Sequence, residues 1–221
     1  MRDMKQSIIL NNKEYPYTVT FKKMRSIIVK VRAGQLIVSA PYYTSIETID
    51  SLIQKNKEKL IKSMESYKPY LSVEDHYVYI FGKKYELVIR DLGKKICRIH
   101  DDKLYVYSRN VEGAFEQFAK ELLYQYLNEK IEASLPLFSK DHVKIEIKKY
   151  KGRWGSCFYK MNKVSFNLSL IHLKKELIDY VIMHELTHFI EANHSKRFYH
   201  ELAMRMPDYL IRQNALKETH V

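Results

Sequence analysis

Five consecutive residues, His184-Glu185-Leu186-Thr187-His188, carry the most specific chemistry in this chain. On an α-helix, positions four apart lie about 40° apart around the axis, so both imidazoles share one face and can converge on one metal ion at roughly 2.0 to 2.1 Å. Glu185, about 100° round from His184, can reach a water at such an ion without binding the ion itself. That is the position of a general base. Ile178, Tyr180, Val181 and Ile182 precede the motif and root it in a core, where an unpaired His or Glu is costly and a metal ion satisfies both.

A catalytic zinc ion usually has three protein ligands and one open position. The third candidate is His194, but a continued helix would carry it about 240° away from His188. The helix must therefore end or bend between them. Glu191-Ala192-Asn193 is the segment for this, because Asn tolerates the left-handed conformation common just after a helix. Metzincin proteases use the same spacing with Gly where this chain has Glu191, so the turn is expected to differ in detail. His200 is a rival ligand. Glu191 is a second rival, although three residues past His188 it is better suited to capping or orienting the site. His76, His100, His142, His172 and His220 have no spacing that assembles a site and read as surface or turn residues.

These side chains need elements to position them. The first 45 residues alternate apolar and polar positions, and Ile27, Val29, Val31, then Leu36, Val38 around Ala33-Gly34 read as a hairpin. From Ser45, a plausible N-cap, to about Tyr67 the apolar residues Ile46, Ile49, Ile53, Leu60 and Ile61 fall near helical spacing. Residues 76–108 return to strand character, with Gly82 and Asp101-Asp102 as turns. A long amphipathic helix follows from about Glu112 to Leu135. Beyond Pro136 come strands at Val143–Ile147 and Val164–Leu168, the apolar run from Leu177 into His184, and a last helix from Ser195 to about Met206. The expectation is an α+β protein: a β-rich N-terminal region over 1–108, then a catalytic region over 109–221. That boundary is soft, because no Pro/Gly/Ser-rich spacer marks it, and one integrated domain is equally compatible.

Composition bounds the class. The 221 residues are 46% hydrophobic and 29% charged, an ordinary folded mixture. Cys97 and Cys157 form no CxxC, which excludes a disulfide framework or a four-cysteine zinc site and suits a reducing compartment. The apolar run Ile8-Ile9-Leu10 is too short for a signal-peptide core and no stretch reaches a membrane span, so a soluble cytoplasmic protein is expected. The six glycines make no phosphate-binding loop, and no GxSxG is present, which argues against P-loop enzymes and serine hydrolases. The net charge of +12 attracts polyanions, nucleic acid included, but the Lys and Arg residues are spread along the whole chain.

Arg153-Trp154-Gly155-Ser156-Cys157, Phe166-Asn167-Leu168, Ile178 through His188, and Asn193-His194-Ser195-Lys196-Arg197-Phe198, taken in this order, resemble the YgjP-like metallopeptidase family, itself related to SprT-like and WLM proteases. The strand Arg25–Val31 followed by Leu36–Pro41 resembles that family's opening. One departure is Tyr199, where the family often has Trp. The resemblance implies a zincin-like, minimal gluzincin-type helix-sheet core whose edge strand lines the substrate cleft, with Zn2+ on His184, His188 and His194. It also implies that Arg153–Cys157 sits beside the metal helix with Trp154 packing there. A purely structural alternative is that Gly155 only permits a tight turn and that Cys157 is a small buried residue.

The expected activity is hydrolysis of peptide bonds in a polypeptide substrate by zinc-activated water, with Glu185 as base. Arg153, Trp154 and Tyr180 are candidate substrate contacts, Arg153 and Tyr180 also oxyanion donors. Lys148, Lys149 and Lys151 motivate a nucleic-acid-associated alternative in which the protease acts on DNA-bound proteins. A zinc-stabilised interaction module without turnover is the third reading.

Overall fold

The structure is a computed structural model that describes residues 3–32, 34–65, 67 and 69–219. The protein is α+β, and its contacts divide it into two units, one ending at Pro69 and the other running Tyr70–Thr219, each with its own apolar core. The division falls at Pro69, and the strands between Leu71 and Val106 share their core with the helices that follow. No helix of the described residues is long and apolar enough to cross a membrane.

In the first unit, β1 (Asp3–Leu10) and β2 (Lys13–Phe21) form a hairpin over Asn11-Asn12, both left-handed as a two-residue turn requires. The expected second hairpin is β3 (Ile28–Arg32) with β4 (Gln35–Ala40); Ala33 lies outside the described residues. The sheet order is β1-β2-β4-β3, with β2 and β4 parallel. Ser45 does cap the next helix, its Oγ accepting from Thr48 N–H. The helical stretch is interrupted, however: α1 (Ile46–Lys55) stops at Asn56, whose Nδ2 donates to Leu52 O (2.8 Å), and α2 (Lys57–Glu65) starts anew. An Asn that bonds its own preceding turn competes with helix continuation.

The second unit opens with five strands: β5 (Leu71–Ser72), β6 (Tyr77–Ile80), β7 (Lys83–Ile89), β8 (Cys97–His100) and β9 (Lys103–Val106), in the order β5-β6-β7-β9-β8. Next comes α3 (Val111–Ser134), which buries Phe115, Leu123, Leu127 and Ile131 in the core. Then β10 (Lys144–Lys148), β11 (Gly155–Phe158) and β12 (Lys163–Asn167) make a sheet with β12 in the middle, parallel to β10 and antiparallel to β11. The chain closes with α4 (Lys175–Thr187), α5 (Lys196–Arg205) and α6 (Tyr209–Lys217). Tyr126 of α3 donates its hydroxyl proton to Asp179 Oδ1 of α4 at 2.6 Å, tying the motif-bearing helix to the long one. Neither β11 nor α6 is foreseen in the sequence, and both flank the site.

Among the histidines outside the motif, His76 occupies a left-handed turn, and His100 and His142 are exposed. His172 departs from the surface reading. It stacks on Tyr70 (ring centroids 5.1 Å) and on Phe115 (5.7 Å), its Nδ1 lies 2.7 Å from Tyr79 O, and burial lowers its pKa. His220 lies outside the described residues.

Candidate active site

Helix α4 ends at Thr187, immediately before the second motif histidine. Two features end it: Thr187 Oγ1 donates back to Met183 O (2.7 Å), and Phe189 and Ile190 N–H donate to Leu186 and Thr187 carbonyls three residues back, tightening the last turn. The chain then reverses and Ser195 caps α5 by accepting from Phe198 N–H. The required break is present, but not by the expected route. Asn193 is not among the left-handed residues; its N–H instead donates to Glu191 Oε1 (3.4 Å), and its carbonyl accepts from Ser195 N–H (2.7 Å).

This reversal brings His194 back onto the motif. One nitrogen each of His184, His188 and His194 lies within 4.8 Å of the others, and the Nε2 atoms of His184 and His194 are 2.9 Å apart. The His188 tautomer follows from its neighbour: Nδ1 is 3.1 Å from Glu191 O, and a carbonyl only accepts, so Nδ1 carries the proton and Nε2 keeps its lone pair. Glu191 therefore orients the site through its backbone oxygen rather than as a ligand. His184 has no such polar anchor among the described residues, its Nδ1 being buried without a partner; Tyr180 and Phe198 fix the ring by packing. Phe198, fully buried, lies 4.7 to 5.0 Å from all three imidazole centroids and forms their common floor. His200 is exposed on α5 and stands outside the trio.

Electrostatics suit this trio to a cation. Burial, with the His188 and His194 rings alongside, pushes His184 down to about 3, and burial also lowers His188, so both stay neutral donors at ordinary pH. Three imidazole nitrogens fit zinc in number and type.

Glu185 is buried at 6% exposure. Burial raises its carboxyl to about 8, partly offset by the Cys157 N–H that it accepts and by the positive charge of Arg153. Its seat is made by Gly155: a Cβ there would stand 2.7 Å from both Glu185 Cγ and Oε1. Gly155 thus opens β11 rather than a tight turn, and it serves to let the carboxylate lie against the strand. Gly155→Ala is expected to leave the fold intact, displace Glu185 and cut turnover by about 100-fold, a loss typical of misplacing a catalytic group by about an ångström. Unimpaired turnover in Gly155→Ala, with a wild-type circular dichroism spectrum, would refute that role.

A cleft of about 530 Å³ opens over these groups. Arg153, Trp154 and Tyr180 all line it. Trp154 is half-buried against the core, while the Tyr180 hydroxyl accepts from Gln213 Nε2 of α6 at 3.1 Å. Burial raises the Cys157 thiol to about 12, with help from the Glu185 charge, so this cysteine is an unreactive neighbour of Glu185. Lys148, Lys149 and Lys151 do not line the cleft: Lys148 pairs with Glu146 (2.8 Å), Lys149 pairs with Glu116, and Lys151 is exposed.

Asn167, Phe198, Gln213 and the seat at Gly155 are the contributors that the residue-by-residue reading missed. Asn167 is a polar residue closing strand β12 after Val164, Ser165 and Phe166; it is fully buried and pins the 150–154 loop.

The sequence profile of the YgjP-like metallopeptidase domain matches residues 25–219. A search of curated proteins returns no match. Two solved structures overlap part of the chain. The metallopeptidase zymogen abylysin of Pyrococcus abyssi is 18% identical, with a TM-score of 0.39 over 43% of this chain and 99% of that one. The metallopeptidase zymogen jannalysin of Methanocaldococcus jannaschii is 25% identical, with a TM-score of 0.36 over 42% and 97%.

Proposed function

Since the chain belongs to the YgjP-like metallopeptidase family, we propose that it hydrolyses peptide bonds with Zn2+ held by His184, His188 and His194 and with Glu185 as general base. The convergence of three histidine nitrogens beside a buried carboxylate, inside one cleft, carries this reading. When bound, zinc supplies a Lewis acid and lowers the pKa of a water at its open position toward about 7.

The remaining roles belong to the chain's own side chains. Glu185, held against Gly155 and Cys157, takes a proton from the attacking water onto its carboxylate and returns it to the departing amine. Its raised pKa of about 8 applies without a cation; a divalent charge a few ångströms away favours the carboxylate and draws the value down toward working pH. Tyr180 and Arg153 are the cleft's donors toward a developing oxyanion. Tyr180 already accepts from Gln213, so its own hydroxyl proton remains to be given.

The test is proteolysis of an unfolded protein such as casein by the purified chain supplied with zinc, set beside the same protein stripped by a chelator and the stripped protein re-supplied. Cleavage that appears, vanishes and returns in step with the metal is the expected result. Zinc bound at one per chain with no cleavage of any unfolded protein would instead favour the interaction-module alternative.

A further inference from the structure

This inference rests on the peptidase reading and concerns what the cleft selects. Arg153 is the only lysine or arginine among the described residues that line it. The arginine ion pairs of the described chain are those of Arg109, Arg205 and Arg212; Arg153 makes no close ion pair, and its charge reaches the Glu185 carboxyl only at longer range.

Its mounting is rigid from behind. Fully buried Asn167 donates from Nδ2 to the carbonyls of Tyr150 (3.1 Å) and Arg153 (2.9 Å), and its N–H donates to Trp154 O (2.8 Å). In front, Arg153 Nη1 donates to Ser156 Oγ (3.2 Å), and the guanidinium lies 5.6 Å from the Tyr150 ring centroid. The Tyr150 hydroxyl is in turn 2.6 Å from Ser165 Oγ. A guanidinium has five donors, so most remain unspent, and Ser156, having accepted, keeps its own proton to donate. An exposed guanidinium on a braced backbone, beside a hydroxyl and free of a close ion pair, matches a carboxylate in donor geometry and charge. The same cleft is also lined by the apolar and aromatic side chains of Trp154, Tyr159, Val181 and Leu216. The surplus of +12 draws anionic chains toward the protein at long range.

We propose that Arg153 and Ser156 form a carboxylate subsite, so that the preferred peptide presents a carboxylate next to a bulky apolar side chain. The carboxylate comes either from an Asp or Glu side chain or from the peptide's own C-terminus. Trp154, the chain's single tryptophan, adjoins Arg153 in the same cleft, so its fluorescence reads binding without turnover.

The experiment titrates the zinc-supplied full chain carrying Glu185→Gln with four acetylated alanine pentapeptides that have a central phenylalanine. Glu or Gln follows the phenylalanine, and each version ends in a free carboxylate or a carboxamide. In at least one of the matched pairs the charged form should bind about tenfold or more tightly, in keeping with a charge-assisted hydrogen bond. Adding Arg153→Gln should erase that difference by bringing the charged peptides down to the affinity of their uncharged partners. A Glu/Gln difference assigns the subsite to an internal acidic residue, and an acid/amide difference assigns it to the chain end. Equal binding within both pairs, a difference that survives Arg153→Gln, or no saturable signal at all overturns the proposal. Hydrolysis of the same peptides by the wild-type chain is scored separately. Carboxylate-dependent binding without any cleavage counts against the peptidase reading alone; equal cleavage with equal binding counts against the carboxylate subsite alone.

Discussion

Glu185→Gln is expected to lower peptide hydrolysis by about 10²- to 10⁴-fold while the zinc content stays at the wild-type level. Gln has the same outline, so it still fits against Gly155 and still accepts from the Cys157 N–H, but its amide cannot take up the proton of the attacking water. The same variant reports on burial through stability. In metal-free protein the folded-state pKa of about 8 lies above the carboxyl's ordinary 4.5, so the folded form holds a proton that the unfolded chain releases. This contribution to stability is fully present below about pH 4.5 and is lost as pH rises through about 8, at up to roughly 1.4 kcal/mol per pH unit. Glu185→Gln has no such loss. The stability of metal-free wild type relative to metal-free Glu185→Gln should therefore fall steadily between pH 5 and 8, as denaturant midpoints would record. A constant difference would show that burial does not set this carboxyl's ionisation. Undiminished hydrolysis by the variant would remove Glu185 from its role.

How much of this was legible in the sequence depends on how local the cause is. The His184–His188 pair needed only the period of a helix, and the requirement that the helix break before His194 followed from the same geometry; both are met. The means of breaking was not legible. It depends on the Thr187 hydroxyl bonding back to Met183 O and on the backbone bonds of Phe189 and Ile190, which no pattern of residue types foretells. Strand β11 escaped because Gly-Ser-Cys-Phe lacks the β-branched alternation that marks strands, and what sets it is pairing with β12. Helix α6 escaped for a related reason: Leu210 and Ile211 are exposed and only Leu216 is buried, so its apolar residues trace no face. The role of Gly155 is a tertiary fact, visible only when Glu185 is set against it. The division at Pro69 was hidden because strands on both sides of α1 and α2 look alike in composition, although they belong to separate cores.

Removing the third histidine tests the remaining part of the site. His194→Ala should lower zinc affinity by about 100-fold or more, beyond the 10- to 100-fold typical of losing a group that merely orients a ligand, and activity should fall with it. His194 is exposed and arrives from a loop, whereas His184 and His188 belong to the end of α4. The variant should therefore fold and keep a two-histidine remnant, which separates loss of the metal from loss of structure. His200→Ala and Glu191→Ala are the matching controls. The first removes a ring outside the trio, and the second removes a carboxylate while keeping the backbone oxygen that holds His188. Both should keep about one zinc per chain, measured by inorganic mass spectrometry after dialysis against a weak chelator. Retention of zinc by His194→Ala, with loss in either control, would transfer the third position to that rival. Retention in all three would mean that the motif pair binds with some other donor, and the convergence of His194 on His184 at 2.9 Å would then be packing rather than coordination.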